Sequence, residues 1–274
     1  MFFGNWDGTV CDGVKLSRDK LTVMAGPCML ETLELGLEVG HFLRDECAKN
    51  GFQFVFKSSF DKANRTSKTG VRGPGFEKGL EWLSQIAKEL GVSVLTDVHA
   101  AEQVPAVSKV CEILQVPAFL CVEQSLLRAC AASQKCIQLK KGQHLPVEEM
   151  FGIAQQMVNW GNPKVTICER GTSFGYNNLV VDYRNLLEVS SAGFASVFDA
   201  THSAQLPGAG GGSSSGVRHV VPALARAAIA VGVDGLFLEV HTNPANALSD
   251  SDTQMNLAEA AKVLASAAQF YSLK

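Results

Sequence analysis

Short runs of apolar and β-branched residues alternate along the chain with longer segments in which apolar positions recur every three to four residues. The short runs, which predict eight strands, cover residues 21–26, 52–59, 92–98, 111–118, 136–140, 165–170, 195–201 and 235–240. Runs that are apolar throughout are typical of strands covered on both faces, as in parallel sheets. The spacing of the longer segments predicts amphipathic helices, among them 32–49, 75–90, 220–231 and 252–271.

This alternation predicts an α/β fold, a (β/α)₈ TIM barrel. Strands that are joined by helices through right-handed crossovers run parallel to each other. Eight such β/α units close into a barrel of about 250 residues. An open doubly wound sheet alternates in the same way, but no glycine-rich dinucleotide turn follows the first run. Turn signals at Asn5-Trp6-Asp7-Gly8 and Asp12-Gly13 indicate a short hairpin. We therefore expect an N-terminal β-hairpin over residues 1–20 and a single barrel domain over 21–274.

Residues 207–216, PGAGGGSSSG, show no apolar periodicity. Because the eighth β/α pair follows directly, the segment predicts a mobile loop after the seventh strand and not a linker between domains. Loops at this face of a barrel often act as lids over the active site.

Composition and charge restrict the classes of partner. The net charge is −3 and the basic residues form no long run, so the global charge gives no support for nucleic-acid or membrane binding. No apolar stretch reaches membrane-spanning length, and the first residues lack the pattern of a signal peptide. The eight cysteines include no CxxC pair and no compact disulfide framework. We therefore expect a cytoplasmic protein whose cysteines mostly pack in the core.

Four side chains of the kinds that bind metals lie near the ends of the first, seventh and eighth predicted strands. They are Cys28, His202, Glu239 and Asp250. In a closed barrel the last strands lie beside the first, so distant residues can meet at one mouth. One thiolate, one imidazole and two carboxylates suit a divalent transition metal, with Fe²⁺, Zn²⁺, Mn²⁺ and Co²⁺ all open. The simpler alternatives are a buried hydrophobic role for Cys28 and a structural core role for His202.

Other polar residues also fall within or at the carboxyl ends of predicted strands. They are Lys57, Asp97, His99, Gln115, Lys140, Lys141, Glu169, Arg170 and His241. Barrel enzymes carry their active sites at this face, and packing alone does not explain so many polar groups, because an unpaired buried charge is costly. The segment 56–67 adds Lys62 and Arg65, which favours an anionic small-molecule ligand such as a phosphate or carboxylate. The alternative for that segment is a solvated basic loop.

Several of these segments resemble one enzyme family. They are AGPCMLE (25–31), FKSSFDKANRTS (56–67), RGPG (72–75), LTDVH (95–99), QVPAFL (115–120), KKGQ (140–143), ERGTSFGYNNLVVD (169–182), FDATHSAQLPG (198–208) and LEVHTNPANALSD (238–250). Taken in order they resemble the 3-deoxy-D-manno-octulosonate 8-phosphate synthases over nearly the whole chain. The resemblance implies a (β/α)₈ barrel that joins phosphoenolpyruvate to D-arabinose 5-phosphate and releases phosphate, in lipopolysaccharide sugar biosynthesis. It also implies phosphorylated small-molecule substrates and a homotetramer.

The resemblance assigns roles to individual residues. The metal ligands that it implies are Cys28, His202, Glu239 and Asp250. It indicates the metal-dependent branch, because the metal-independent branch has Asn at position 28. The catalytic residues that it implies are Lys62, Lys140, Arg170, His202 and Asp250. The residues implied to line the substrate cavity are Lys57, Asn64, Arg65, Thr66, Asp97, His99, Gln115 and Ala118.

The chain departs from the family pattern after QVPAFL. Val122 stands where the family has an Arg that binds the sugar phosphate across a subunit boundary, and Glu123 follows it. Arg128 is one turn further along and is a candidate substitute. Residues 68–71 and His144 also differ from the usual pattern.

Two other functions stay open at this point. One is a related synthase that uses another aldose phosphate such as erythrose 4-phosphate, against which KANRTS argues, because the seven-carbon synthases resemble a KPRT-type motif there. The other is a catalytically weakened barrel that serves as a binding protein, which the Val122 departure motivates.

Overall fold

The computed structural model describes residues 9–11, 13–17, 19–62, 72–209 and 215–272 of the 274-residue chain. Eight parallel strands form a closed barrel, each paired with the strand before and after it in the chain. They are β1 (Thr22–Gly26), β2 (Gln53–Lys57), β3 (Ser93–Asp97), β4 (Ile113–Val116), β5 (Cys136–Lys140), β6 (Val165–Glu169), β7 (Ala195–Asp199) and β8 (Gly235–Glu239). The last strand pairs with the first, with Glu239 opposite Gly26. The predicted (β/α)₈ barrel is therefore confirmed.

A helix follows each barrel strand. The helices are α1 (Leu33–Lys49), α2 (Phe76–Leu90), α3 (Val104–Val107), α4 (Gln124–Ala132), α5 (Val147–Asn159), α6 (Arg184–Ser191), α7 (Val221–Val231) and α8 (Leu257–Tyr271). Local sequence sets several of their ends. The Thr32 hydroxyl accepts a hydrogen bond from the Leu35 amide at the start of α1, and Asn256 and Glu259 form a reciprocal capping box on α8. Gly91 ends α2 in the left-handed conformation that glycine adopts without strain.

Two apolar layers pack against the barrel strands, one on the outside and one on the inside. The larger one packs the outward side chains of the barrel against the helices. The smaller one fills the barrel interior, with Met24, Val55, Leu95 and Phe237 among its members. Val14 and Leu16 join the interior layer from an antiparallel hairpin, Thr9–Cys11 with Val14–Leu16. The hairpin therefore closes the amino-terminal end of the barrel, and the opposite mouth is left for polar groups.

The differences from the predicted boundaries are local. The predicted run 111–118 is cut short at Val116, because Pro117 leads into a short 3₁₀ segment, Ala118–Leu120. The last helix begins at Leu257 and not at 252, because Asn256 caps it and Met255 bridges to Val240. The turn signal at residues 5–8 and Asp12 lie outside the described residues.

A two-stranded ribbon bounds the segment predicted as a mobile loop, residues 207–216. Gln205–Leu206 pairs with Ser215–Gly216 as a two-stranded ribbon, which we call the strap, while residues 210–214 lie outside the described part of the chain. A second ribbon that the sequence pattern did not predict pairs Thr172–Ser173 with Leu179–Val180.

The cysteines are mostly buried, as expected. Cys28, Cys47, Cys111, Cys121, Cys130 and Cys168 are free and buried. Cys136 is also buried, in the interior layer of the barrel, and it is disulfide-bonded. Among the described residues, no helix is both long and apolar enough to cross a membrane.

Candidate active site

The barrel closure brings three of the four predicted metal ligands into one cluster. One ligand atom each from Cys28, Glu239 and Asp250 lies within 4.8 Å of the other two. The Cys28 thiol donates to Asp250 Oδ2 at 2.9 Å. His202 Nε2 stands at the edge of the cluster, 3.6 Å from Glu239 Oε1 and 3.9 Å from Asp250 Oδ2. Cys28 and His202 thus face the same carboxylate oxygen although 174 positions separate them in the sequence.

The other nitrogen of His202 is held by a buried aspartate. Asp199 Oδ2 lies 2.7 Å from His202 Nδ1, and Asp199 Oδ1 accepts the backbone amide of His202 at 2.8 Å. A carboxylate on Nδ1 favours the tautomer in which Nε2 carries the lone pair. Nε2 then faces the Glu239 and Asp250 carboxylates with its lone pair available to a cation.

Asp250 lies in the left-handed region of backbone conformation, with a φ of +46°. Its carbonyl accepts the amides of Thr253 and Gln254, and its Oδ1 accepts from Gln205 Nε2 at 2.8 Å. Aspartate is one of the few side chains that tolerate this conformation, and such strain clusters at functional sites. The loop after β8 is therefore shaped to turn Asp250 Oδ2 toward Cys28.

Glu239 is fully buried at the end of β8. Lys57 Nζ donates to its Oε1 at 2.8 Å, whereas its Oε2 has no hydrogen-bond partner among the described residues. A buried carboxylate oxygen without a donor is costly unless a ligand satisfies it. This open oxygen, the thiol and the imidazole together fit a divalent transition metal, with one soft sulfur, one nitrogen and two carboxylates.

Protonation within the cluster matches a cation site. Burial and then the Asp250 and Glu239 charges raise the pKa of the Cys28 thiol well above its usual value. Burial alone would raise the pKa of Asp250, but His202 and Lys62 lower it to about 2. The carboxylate is therefore ionised while the thiol keeps its proton. A bound cation would displace that proton, since metal ligation requires the thiolate.

A cationic pocket adjoins the cluster at the ends of β5 and β6. Lys140 Nζ lies 2.5 Å from Asp199 Oδ2 and 3.3 Å from His202 Nδ1. Arg170 donates through Nη2 to Gln205 Oε1 at 2.7 Å, and its Nη1 is buried with no hydrogen-bond partner in the described chain. A guanidinium with one free edge can bind a phosphate or carboxylate oxygen.

Lys62 reaches the same mouth from the loop after β2. Its Nζ donates to Ser59 Oγ at 3.0 Å, and Ser59 Oγ donates in turn to Asp97 Oδ2. Burial alone would raise the pKa of Asp97, but Lys57 and Lys62 hold it well below its usual range. Burial alone would lower the pKa of Lys62, but the Glu239 and Asp97 carboxylates raise it. The pocket therefore holds ionised groups of both signs, with Lys57 and Lys62 between the aspartate and the metal cluster.

Of the remaining predicted substrate residues, some lie in the described part of the chain and some do not. Gln115 donates to Asp97 and accepts from Gln138 Nε2 at 2.7 Å, so it belongs to the polar lining. His99 lies against the Phe60 ring, with its backbone amide bonded to Gln103, and Ala118 begins the 3₁₀ segment after β4. The predicted residues outside the described part of the chain are Asn64, Arg65 and Thr66.

The departure at Val122 faces solvent. Val122 is 55% exposed, and the Glu123 carboxylate accepts from the Ser125 amide as the cap of α4. The Arg128 guanidinium stacks over the Trp160 ring at 4.3 Å. Whether Arg128 substitutes for the missing arginine therefore stays a prediction, although within this chain its side chain packs on Trp160 at the C-terminal end of α5.

Three site residues escaped the sequence analysis: Asp199, Gln205 and Ser59. Each touches a predicted residue, and each lies in a segment already quoted for the family resemblance. Asp199 carried a usable signal, since it ends a strand, as Asp97 does. Gln205 lies beyond the strand end, and no periodicity marks it.

Comparison with known proteins agrees with this architecture. Residues 10–272 match the model of the DAHP synthetase I family. A protein of Acidithiobacillus ferrooxidans named 2-dehydro-3-deoxyphosphooctonate aldolase is 51% identical over 228 residues, which cover 83% of this chain and 81% of the relative. Relatives with the same name are 49% identical in Azoarcus (87% of this chain and 86% of the relative) and 47% identical in Legionella pneumophila (93% of each). The chain therefore belongs to the DAHP synthetase I family, and within it to the 2-dehydro-3-deoxyphosphooctonate aldolases.

Proposed function

We propose that this protein is a 3-deoxy-8-phosphooctulonate synthase. It condenses phosphoenolpyruvate with D-arabinose 5-phosphate and water, gives 3-deoxy-D-manno-octulosonate 8-phosphate and phosphate, and serves lipopolysaccharide sugar biosynthesis. The proposal is supported mainly by the cluster of potential metal ligands Cys28, Glu239 and Asp250, which lies beside a cationic pocket. The chain is also about half identical to proteins named for this product.

The cationic groups suit phosphoenolpyruvate. The free Nη1 of Arg170 and the ammonium of Lys140 bind its phosphate, and Lys62 binds on the opposite side of the pocket. These charges also stabilise the negative charge that develops on the phosphate as it leaves. Burial of Lys140 and Arg170 and partial burial of Lys62 strengthen these interactions relative to water.

The reaction requires one carbon–carbon bond and one water. C3 of phosphoenolpyruvate adds to the sugar aldehyde, and the aldehyde oxygen takes a proton. Water adds to C2, and the resulting hemiketal phosphate breaks its C2–O bond to release phosphate. When bound, a divalent ion supplies Lewis-acid polarisation of a carbonyl oxygen or of water. Asp199 holds His202 in the tautomer that a metal requires, and Lys57 keeps Glu239 ionised.

We propose Cys28, His202, Glu239 and Asp250 as the metal ligands, with Fe²⁺, Zn²⁺, Mn²⁺ and Co²⁺ as candidate ions. Stripping the protein with a strong chelator should abolish phosphate release, and adding back one of these ions should restore it. Full activity in metal-free protein would refute the metal proposal.

Sugar specificity is tested by pairing phosphoenolpyruvate with D-arabinose 5-phosphate or erythrose 4-phosphate and following phosphate release. The five-carbon sugar should be preferred. Arg170→Met should remove activity with both sugars, while Arg184→Met, at an exposed arginine paired with Asp182, should leave it unchanged. Faster turnover with erythrose 4-phosphate would reassign the substrate.

The exposure of Val122 favours a second candidate, a weakened enzyme or binding protein. If Val122→Arg greatly lowers the KM for arabinose 5-phosphate, the wild-type chain is a weakened enzyme. Phosphate release at background with both sugars, despite bound metal, would instead support a binding role.

We also propose a homotetramer in the cytoplasm, built from a hairpin over residues 1–20 and one barrel domain over 21–274. Exposed apolar side chains at the barrel mouth, Phe119, Val122, Phe174, Tyr176 and Val180, support self-association. The six free buried cysteines suit a reducing compartment, although the Cys136 disulfide does not. Light scattering on the purified protein gives the oligomeric state, and a thiol count on denatured protein purified from the cytoplasm tests the compartment.

A further inference from the structure

Gln205 connects the two halves of the site. Its side-chain oxygen accepts from Arg170 Nη2 at 2.7 Å, and its side-chain nitrogen donates to Asp250 Oδ1 at 2.8 Å. Both partners are buried or nearly so, and Gln205 itself is 8% exposed. Gln205 thus lies between the anion-binding guanidinium and a carboxylate of the metal-type cluster.

The chemistry of the three groups allows only one arrangement. A guanidinium can only donate hydrogen bonds, and an ionised carboxylate can only accept them. A primary amide has one acceptor and one donor end, so a single orientation of Gln205 serves both neighbours. Turning the amide over would place donor against donor and acceptor against acceptor, which breaks both contacts at once.

The strap fixes the backbone that carries Gln205. Gln205 pairs with Gly216, and the Val217 amide donates to Ala204 O at 2.9 Å. Arg218 Nη2 donates to Ser251 O, in the same loop as Asp250. A Cβ at Gly216 would lie 2.1 Å from Thr253 Cγ2, so the strap packs directly on that loop. Gln205 and Asp250 therefore lie on two segments that pack directly against each other.

We infer that Gln205 is a positioning residue that couples metal binding to phosphoenolpyruvate binding. It holds Asp250 so that Oδ2 faces Cys28, and it holds Arg170 so that Nη1 stays free for the phosphate. Each ligand holds in place one of the two side chains that Gln205 joins, so binding of one lowers the cost of ordering the other. The inference rests on the proposed function for the identity of the two ligands.

The test measures each ligand in the absence of the other. Zn²⁺ affinity is measured without substrate, by competition with a chromophoric chelator, and phosphoenolpyruvate affinity is measured by calorimetry on metal-free protein. Gln205→Met keeps the length of the side chain and removes both hydrogen bonds. We expect Zn²⁺ affinity to fall by about 10- to 100-fold, as for other partners that orient metal ligands, and phosphoenolpyruvate affinity to fall by about tenfold. Gln155→Met, at a half-buried glutamine on α5 whose side chain bonds to Asn159 at the surface, is the matched control and should change neither.

The wild-type protein should bind each ligand more tightly when the other is present, by about fivefold or more, and equally in both directions. Gln205→Met should reduce this factor. A fall in Zn²⁺ affinity alone, or unchanged affinity for both ligands, would overturn the inference. If wild-type protein binds neither ligand, the proposed function fails and the inference fails with it.

Arg170→Lys keeps the positive charge but loses the forked guanidinium that reaches Gln205, so it tests the same link without altering Gln205. Measured without substrate, its Zn²⁺ affinity should fall severalfold. Unchanged Zn²⁺ affinity in this variant would overturn the coupling even if Gln205→Met did not fold.

Discussion

Asp199→Asn is the most demanding test of how the site is held together. Asp199 is fully buried and contacts both Lys140 Nζ at 2.5 Å and His202 Nδ1 at 2.7 Å. The amide keeps the size and one acceptor but removes the charge, so Lys140 stays buried without its ion-pair partner. Removal of one partner of a buried pair costs about 3–5 kcal/mol. Because Glu239 and Asp97 also act on Lys140, we expect a loss near the lower end, about 3 kcal/mol.

The assay is urea unfolding of metal-free protein for four species: wild type, Asp199→Asn, Lys140→Met and the double variant. If the pair acts as a unit, the double variant should be less destabilised than the sum of the single variants, by about 1–3 kcal/mol. Additive effects within about 0.5 kcal/mol would refute the coupling. Zn²⁺ affinity of Asp199→Asn should also fall by about 10- to 100-fold, because His202 loses the partner that fixes its tautomer.

The same variant predicts a pH dependence. Burial alone would raise the pKa of Asp199, but His202 and Lys140 hold it well below its ordinary value of 3.8. A carboxylate with a lowered pKa in the folded state contributes its full stability above about pH 4 and loses it as the pH falls toward the folded-state value. The difference in unfolding free energy between wild type and Asp199→Asn should therefore shrink as the pH falls below about pH 4. A difference that grows in acid would refute the assignment.

Three further variants test separate parts of the structure. Cys28→Ser should lower Zn²⁺ affinity at least tenfold, measured by chelator competition, whereas Cys47→Ser, at a buried thiol on α1, should not. Gly216→Ala should destabilise the protein by about 1–3 kcal/mol and lower its activity, because the added methyl group clashes with Thr253. Adding Thr253→Ser, which removes the clashing methyl of Thr253, should partly restore both stability and activity. Failure of this rescue would contradict the packing of the strap. Arg128→Ala should lower the free energy of unfolding by about 1 kcal/mol through the lost Trp160 contact and leave the KM for arabinose 5-phosphate unchanged. A raised KM would instead show that Arg128 contributes to sugar-phosphate binding.

The sequence was sufficient for the fold because each strand is a short, mostly apolar run between helices with one apolar face. Strand β5 occurs at the predicted residues, and the differences elsewhere come from local chemistry such as Pro117 and the Asn256 cap. The metal-type cluster could also be predicted, since barrel closure alone decides that the first and last strands are neighbours.

The connections between site residues could not be predicted in the same way. Asp199 and Gln205 act through side-chain geometry, in hydrogen bonds that span from three to forty-five positions in the chain. Periodicity contains no information about such contacts, because it reports which face of an element is buried and not which atom a side chain meets. The position of Arg128 illustrates the same limit: spacing along α4 placed it near Val122, but the neighbouring helix determines where it points.

The pairing of β8 with β1 has a consequence for the order in which the newly synthesised chain assembles its site. Cys28 emerges from the ribosome long before Glu239 and Asp250, so a nascent chain offers a lone thiol and no chelating set. A cation held by this cluster would therefore be captured only after the final quarter of the polypeptide has docked and closed the barrel. Uptake of a coloured ion such as Co²⁺ during refolding would then time the last step of assembly, and prematurely terminated chains would remain colourless.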